Sequence, residues 1–315
     1  MKTPTILCLM GPTASGKTDI AVELVQRFPL DIISVDSAMI YRGMDIGTAK
    51  PDAATRAMAP HRLIDICDPA QSYSAGNFWQ DAAREIADII AQRRVPLLTG
   101  GTMLYFHALQ NGIATLPKAD PEIRARLKQE AEQQGWQHLH ERLQALDPES
   151  ALRIHPNDPQ RLQRALEVYE ITGITLSQLI AESPHTKLPY RFVNLALIPQ
   201  DRALLHQKIA ARFDLMLQNG FIAEVEQLYQ RGDLTGEMPS MRAVGYRQIW
   251  DYLAGNLTQA EMHEQALAAT RQLAKRQLTW LRSWQNLTCF SSEDAHKMAK
   301  IRDFVRDTFV SSPPL

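Results

Sequence analysis

Eight consecutive residues carry the clearest chemistry in the chain. Gly11, Pro12, Thr13, Ala14, Ser15, Gly16, Lys17 and Thr18 match G-x-x-x-x-G-K-[ST] in full. The glycines let the backbone wrap so that successive N–H groups point inward at phosphate oxygens. Lys17 adds a point charge, and Thr18 offers a hydroxyl to a hydrated Mg²⁺. An apolar run precedes the motif at residues 6–10 and a helical pattern follows it, the context such a loop needs. A plain turn between strand and helix is the alternative. The motif predicts a di- or triphosphate ligand, yet no signal for a nucleotide base accompanies it. N-K-x-D, which would read guanine, does not occur, and no later apolar run ends in Asp. The run of residues 32–36 closes on Asp36 directly after the first helical stretch. In P-loop enzymes acting on small acceptors that strand tip faces the group receiving the transfer. Asp36 is therefore expected to act as a general base or a hydrogen-bond acceptor. The alternative is an Asp that only caps the following turn.

The elements that must hold these residues follow from periodicity. β-rich runs at residues 5–10, 31–36 and 95–99 alternate with helical stretches at 17–27 and 77–93. That alternation predicts βαβ units and a parallel sheet buried on both faces, an α/β fold. Each run ends in polar or glycine residues, where open α/β sheets bind ligands. From Leu116 the texture changes: Pro117 and Pro121 open a stretch rich in Arg, Gln and Glu, punctuated by Gly135, Pro148, Pro156 and Pro159. We read residues 117–189 as a helical insertion in a core made of 1–116 and 190–315, where a further strand is expected at Arg191–Ile198. Asp201 can cap a helix that Gly220 stops, and Thr258 with Glu261 forms a capping-box pattern opening a helix without Gly or Pro through Trp284. The tail, residues 310–315, is expected to fray.

Composition narrows the classes. The 315 residues hold 34 Lys plus Arg against 35 Asp plus Glu, so any nucleic-acid surface must be local. Hydrophobic residues make up 45%, which argues against wholesale disorder. No apolar run reaches a membrane span, and the N-terminal one is too short for a secretory signal. Three scattered cysteines without C-x-x-C disfavour disulfides or a zinc knuckle and point to the cytoplasm.

Three basic segments low in acid could track a folded RNA. In residues 158–169, Asp158 caps and Pro159 takes the first helical position; Leu162, Leu166 and Tyr169 face inward, leaving Arg161 and Arg164 outward. Arg242 and Arg247 lie around Gly245. Residues 271–282 hold four cations and no acid. There Leu267, Ala274, Leu278 and Leu281 form a core stripe, with Arg271, Lys275 and Arg282 beside it over about 16 Å. Arg276 and Trp280 lie across from that stripe. Such rows suit an RNA backbone and would bring steep salt dependence, although each taken singly reads first as a solvated helix face and only the three together point to RNA.

Asp36-Ser37-Ala38-Met39-Ile40-Tyr41-Arg42-Gly43-Met44-Asp45-Ile46-Gly47-Thr48-Ala49-Lys50-Pro51 resembles the signature of the tRNA dimethylallyltransferases. Six further stretches extend the likeness, in order, over almost the whole chain: His61-Arg62-Leu63-Ile64-Asp65, Tyr73-Ser74, Gly100-Gly101-Thr102-Met103-Leu104-Tyr105, Asp158-Pro159-Gln160-Arg161, Gly220-Phe221-Ile222-Ala223-Glu224-Val225 and Ala243-Val244-Gly245-Tyr246-Arg247. Many relatives carry Gln where this chain has Met39, a departure that removes a side-chain amide there. The resemblance implies a P-loop NTPase-like core whose cradle holds the diphosphate of dimethylallyl diphosphate, with Mg²⁺ at Thr18. It implies that the adenosine on the 3′ side of the anticodon is flipped out of its loop and enters a channel. Its exocyclic N6 then attacks C1 of the allyl group, and diphosphate leaves. By the same resemblance Asp36 is the base, Lys17 and Arg212 are cations on the diphosphate, and Thr102 places a hydroxyl near its bridging oxygen. Thr102 has the alternative of a helix N-cap. Arg212 lies about 60° from the centre of the stripe Leu205, Ile209, Phe213 and Met216, at its buried edge, and has the alternative of a salt bridge.

The tRNA contacts so implied start at the acceptor with Asp36, Ser37, Ala38, Met39 and Thr102. In the insertion, which would grip the anticodon stem-loop, they are Arg124, Gln160, Arg161, Leu162, Gln163 and Arg164. Beyond it come Met241, Arg242, Ala243, Val244, Gly245, Tyr246 and Arg247. The last row is Lys275, Arg276, Gln277 and Leu278, continued by Thr279, Trp280, Leu281 and Arg282. No obligate protein partner is called for, and a monomer is expected. The main rival is a small-molecule kinase, with ATP on the P-loop, Asp36 activating a hydroxyl and the insertion as lid. A nucleotide-driven RNA-binding switch is weaker, since nothing resembles paired switch loops.

Overall fold

The computed structural model describes residues 3–183 and 187–311. Six strands form one sheet: β1 (Thr5–Met10), β2 (Leu30–Val35), β3 (His61–Arg62), β4 (Val95–Gly100), β5 (Arg191–Ile198) and β6 (Leu287–Ser291). They pair in the order β3-β2-β4-β1-β5-β6, every neighbour parallel, as the alternating pattern predicts for an α/β fold. The first helices are α1 (Lys17–Arg27), α2 (Ala53–Met58), α3 (Ala75–Ala91) and α4 (Met103–Asn111). Then come α5 (Pro121–Gln134), α6 (Trp136–Leu146), α7 (Pro148–Arg153), α8 (Pro159–Thr172) and α9 (Leu176–Glu182). The last are α10 (Arg202–Gln218), α11 (Phe221–Gln230), α12 (Tyr246–Leu253), α13 (Gln259–Arg282) and α14 (Lys297–Ser311).

The central strands β1, β2 and β4 are buried on both faces because most of their positions are apolar. Ile6, Cys8 and Met10 of β1 pack with Phe78, Ile86 and Phe106 of α3 and α4. Leu7 and Leu9 point the other way, onto Ile20 and Leu24 of α1 and Ile301 and Val305 of α14. β2, β4 and β1 are adjacent, so the loops that follow them emerge side by side at one edge of the sheet. A phosphate loop after β1 of such a sheet makes the architecture P-loop NTPase-like.

Two strands escape the sequence pattern. β3 has only two residues, and β6 lies at the sheet edge, half-covered, without the run of buried positions seen in β1. α3 starts two residues before the expected residue 77, because Ser74 and Asn77 close a capping box there. Of the tail expected to fray, Ser311 still ends α14, and residues 312–315 lie outside the described residues.

The chain divides into two compact units, Met1–Gln110 with Leu188–Leu315, and Asn111–Lys187; the limits expected from sequence were 117 and 189. The second unit is helical, α5 to α9, around its own core of Leu127, Leu139, Leu143, Leu162 and Leu166. Among the described residues no helix is long and apolar enough to cross a membrane, and all three cysteines are free.

Candidate active site

The first unit carries a cavity of about 670 Å³ at the ends of β1, β2 and β4. Gly16, with φ of 88°, stands at the N-cap of α1 and offers no side-chain cap, so the first amides of α1 stay open to an anion. Ala14 takes φ of 60°, unusual for a residue with a Cβ, and is held there by Leu205, Ile209 and Ala274. Lys17 Nζ donates to Pro12 O at 2.7 Å and Ser15 Oγ at 3.4 Å. Burial lowers the Lys17 ammonium to about 7; nearby Asp36 resists that shift and Arg212 adds to it.

Asp36 follows β2 directly. Its Oδ1 accepts from the Ala38 and Met39 N–H groups at 2.9 and 3.2 Å, and Oδ2 has no hydrogen-bond partner among the described residues. The cap and the site residue are thus one side chain, with one oxygen for each task. Thr102, immediately before α4, does not spend its hydroxyl on the helix. It accepts from the Ser37 N–H at 3.0 Å and reaches Ser37 Oγ at 3.3 Å, tying the β4 turn to the β2 turn. Arg212 on α10 lines the same cavity beside the buried stripe of Leu205, Ile209 and Phe213. It forms no salt bridge among the described residues; burial lowers its pKa, opposed by Asp36 and Asp19. Phe213, Met216, Phe221 and Pro239 add an apolar wall. Among the described residues no cluster of His, Cys, Asp and Glu can cage a metal. The Thr18 hydroxyl, which lines the cavity, together with phosphate oxygens is the kind of donor set Mg²⁺ accepts while keeping most of its waters.

Two residues without a role in the sequence reading hold the signature loop. Glu224 of α11 accepts from the N–H groups of Asp45, Ile46 and Gly47 at 2.9, 2.7 and 3.2 Å, and from the Tyr246 hydroxyl. Lys50, its side chain 1% exposed, donates to Tyr41 O and to the carboxylates of Asp45 and Asp65. Hydrogen bonds to a charged group contribute roughly 1.5–3 kcal/mol each and do not add fully, so Glu224→Ala should cost about 2–4 kcal/mol. Tyr246→Phe, which removes one of those bonds and keeps the ring, should cost about 1 kcal/mol. Urea unfolding midpoints measure both, and an unshifted Glu224→Ala would show that the loop holds itself.

The expected RNA rows fare unequally. Arg271, Lys275 and Arg282 are exposed on α13 and free of ion pairs among the described residues, while Arg242, Arg276 and Trp280 line the cavity. Arg161 is exposed and paired only to Asp158 of its own helix start; Gln160 and Thr279 are exposed, and Arg247 pairs loosely with Asp251. Arg164 does not point outward. With Arg124 it pairs to Glu167, whose side chain is fully buried, and it also donates to Pro117 O. Burial pushes the Glu167 carboxyl up, but hydrogen bonds from Arg124 and Arg164 outweigh that and hold it low. A buried carboxylate must recruit cations, and these two are the ones it takes. Gln163 donates to Arg124 O, and Leu162, Met241, Tyr246 and Leu281 are buried, with Leu278 packed beside Ala274. Gln277 is buried as well, with its amide turned toward the P-loop.

Comparison with known proteins follows this geometry. The model of the family described as IPP transferase matches residues 39–284. A tRNA dimethylallyltransferase of Coxiella burnetii is 55% identical over 97% of this chain and 98% of its own. The crystal structure of a full-length tRNA isopentenylpyrophosphate transferase of Bacillus halodurans superposes with a TM-score of 0.69 at 36% identity, covering 98% of both chains. A eukaryotic dimethylallyltransferase acting on tRNA gives a TM-score of 0.81 at 26% identity, over 99% of this chain and 81% of the other. With the family model spanning most of its length and the cavity built from the signature residues, the chain belongs to the IPP transferase family.

Proposed function

We propose that this cavity binds dimethylallyl diphosphate and transfers its dimethylallyl group to N6 of the adenosine on the 3′ side of a tRNA anticodon. The observation that carries the reading is the joining, in one cavity, of the P-loop, Asp36, Thr102 and Arg212 with an apolar wall. The P-loop amides, Lys17 and Arg212 bind the diphosphate, and Phe213, Met216 and Phe221 shelter the prenyl chain. Mg²⁺, when bound at Thr18 and the diphosphate oxygens, supplies further positive charge for the departing group. The lone pair of N6 forms the new bond to C1, the C1–O bond breaks, and its electron pair leaves with the diphosphate. Asp36 Oδ2 takes the N6 proton. Charge gathers on the leaving group in the transition state, where preorganised cations and donors act most strongly.

Incubation with labelled dimethylallyl diphosphate and tRNA, without nucleotide, tests this. Label should appear on that adenosine with one diphosphate released per transfer. ADP formed in proportion to acceptor would restore the kinase reading.

The tRNA surface belongs to the same proposal. Arg271, Lys275 and Arg282 form its firmest row, because among the described residues no acid pairs with them. Each Ala substitution there should weaken tRNA binding and flatten the log–log salt slope by about 0.7–0.9 unit, with turnover at saturating tRNA nearly unchanged. Arg124→Ala should act mainly on folding of the helical unit, since it strips a partner from buried Glu167. Equal salt slopes in parent and triple variant would make α13 a solvated face.

A further inference from the structure

Gln277 sits where its helix faces inward. It is 8% exposed on α13, between the exposed cations Lys275 and Arg282. Its Oε1 accepts the Thr13 N–H at 2.9 Å, and its Nε2 donates to the Gly101 carbonyl at 2.9 Å. One planar amide thus spans the phosphate loop and the turn that delivers Thr102. Gln and Asn carry a donor and an acceptor fixed in one plane, and Asn is one methylene shorter. A Cβ on Gly101 would lie 2.3 Å from that Nε2, so the glycine makes room for the amide. Ala14, the next loop residue, packs against the cluster of Leu205, Ile209 and Ala274, the last of these on the same helix. α13 therefore fastens two successive residues of the phosphate loop, while Arg276 and Trp280 reach the same cavity on either side.

We propose that Gln277 is a positioning residue for diphosphate binding rather than an RNA contact. Its amide locks the phosphate loop to the β4–α4 turn, so that the cradle and the Thr102 hydroxyl keep one geometry. This rests on the donor assignment above. The lock is built into the helix that presents Arg271, Lys275 and Arg282, so the RNA-facing row and the diphosphate cradle share one rigid element.

Gln277→Glu tests the lock because it is close to isosteric. As a carboxylate the new side chain can still accept from Thr13, but it loses the bond to the Gly101 carbonyl and sets a negative charge beside an anion cradle. Protonated, it regains a donor and an acceptor. Lys17, Asp19, Asp36, His61, Arg212, Arg242 and Arg276 line the cavity in both proteins, so the ratio of dissociation constants cancels what they share and reports the new carboxyl. Calorimetric titration with dimethylallyl diphosphate and Mg²⁺, without RNA, should give a variant at least about tenfold weaker near pH 8, with the deficit narrowing as pH falls and the new carboxyl, raised by burial and the diphosphate charge, takes up its proton. Gln277→Met, which keeps the volume and loses both bonds, should be weaker at every pH with no such narrowing. Affinity of both variants for an anticodon stem-loop should stay within about twofold of the parent.

Donor affinity equal to the parent at every pH would overturn the proposal. So would a loss of stem-loop affinity with donor affinity intact, which would make Gln277 an RNA contact. A parent that fails to bind dimethylallyl diphosphate would be a failure of the donor assignment instead. Inorganic pyrophosphate then serves as the probe, with the same pH-dependent ratio expected. A parent that binds neither would refute the cradle and the lock together.

Discussion

Asp36→Asn should lose about 10²–10⁴ in turnover while tRNA affinity stays within a few-fold of the parent. The exocyclic amine of adenine is a weak nucleophile because its lone pair is delocalised into the ring. It gains strength as its proton is drawn off while the bond to C1 forms, and a carboxylate oxygen is the group for that. The geometry makes the substitution clean. Asn retains an oxygen to accept from the Ala38 and Met39 N–H groups, so the turn after β2 stays closed. What disappears is the basicity of the other oxygen. The loss should therefore fall on kcat and on kcat/KM for tRNA about equally, the pattern of an interaction made in the transition state. Single-turnover rates with saturating tRNA measure it directly. Parent-like turnover would reduce Asp36 to a turn cap.

The parts of this site that were legible in the sequence are those whose chemistry is contiguous or periodic. The phosphate loop is contiguous because eight successive residues must wrap one anion. Asp36 is readable because a buried strand that ends in a carboxylate has to present it at the sheet edge. Arg212 came from the family resemblance, and periodicity added only that Leu205, Ile209 and Phe213 put it at the buried edge of α10. What escaped is pairing over distance. Glu224 is separated by 177 to 179 residues from the three amides it binds, and Gln277 by 264 from Thr13. Helical spacing tells which side of α13 a residue occupies, but not that a backbone loop lies against it. Arg164 shows the same limit: it falls on the outward side of α8 by angle, and buried Glu167 one turn further along draws it back. In that respect the fold was easier to read than the site, since a parallel sheet needs only apolar runs in alternation with helices.

Lys17→Ala should cost about 10²–10³ in kcat, because it removes a cation aimed at the charge that gathers on the leaving diphosphate. A pH signature separates this from simple loss of binding. Burial, resisted by Asp36 and reinforced by Arg212, lowers the free ammonium to about 7. Below that value Lys17 is charged before the donor arrives; above it the neutral amine prevails, and binding must first take up a proton. Donor affinity and kcat/KM for the donor should therefore fall as pH rises through about 7 toward 9, approaching tenfold per unit at the alkaline end. Calorimetry at about pH 8 in buffers of different ionisation enthalpy should show close to one proton taken up per donor bound. Lys17→Arg, charged throughout this range, should abolish both the alkaline limb and the uptake even if its bulk lowers the plateau. Asp36→Asn supplies an internal control. It removes the neighbour that favours the charged lysine, so the alkaline limb should move to lower pH. A donor affinity that is flat from about pH 6 to about pH 9 with Lys17 in place would show that the lysine is fully charged in the free protein. The depressed ammonium, and with it the proton uptake, would then be ruled out.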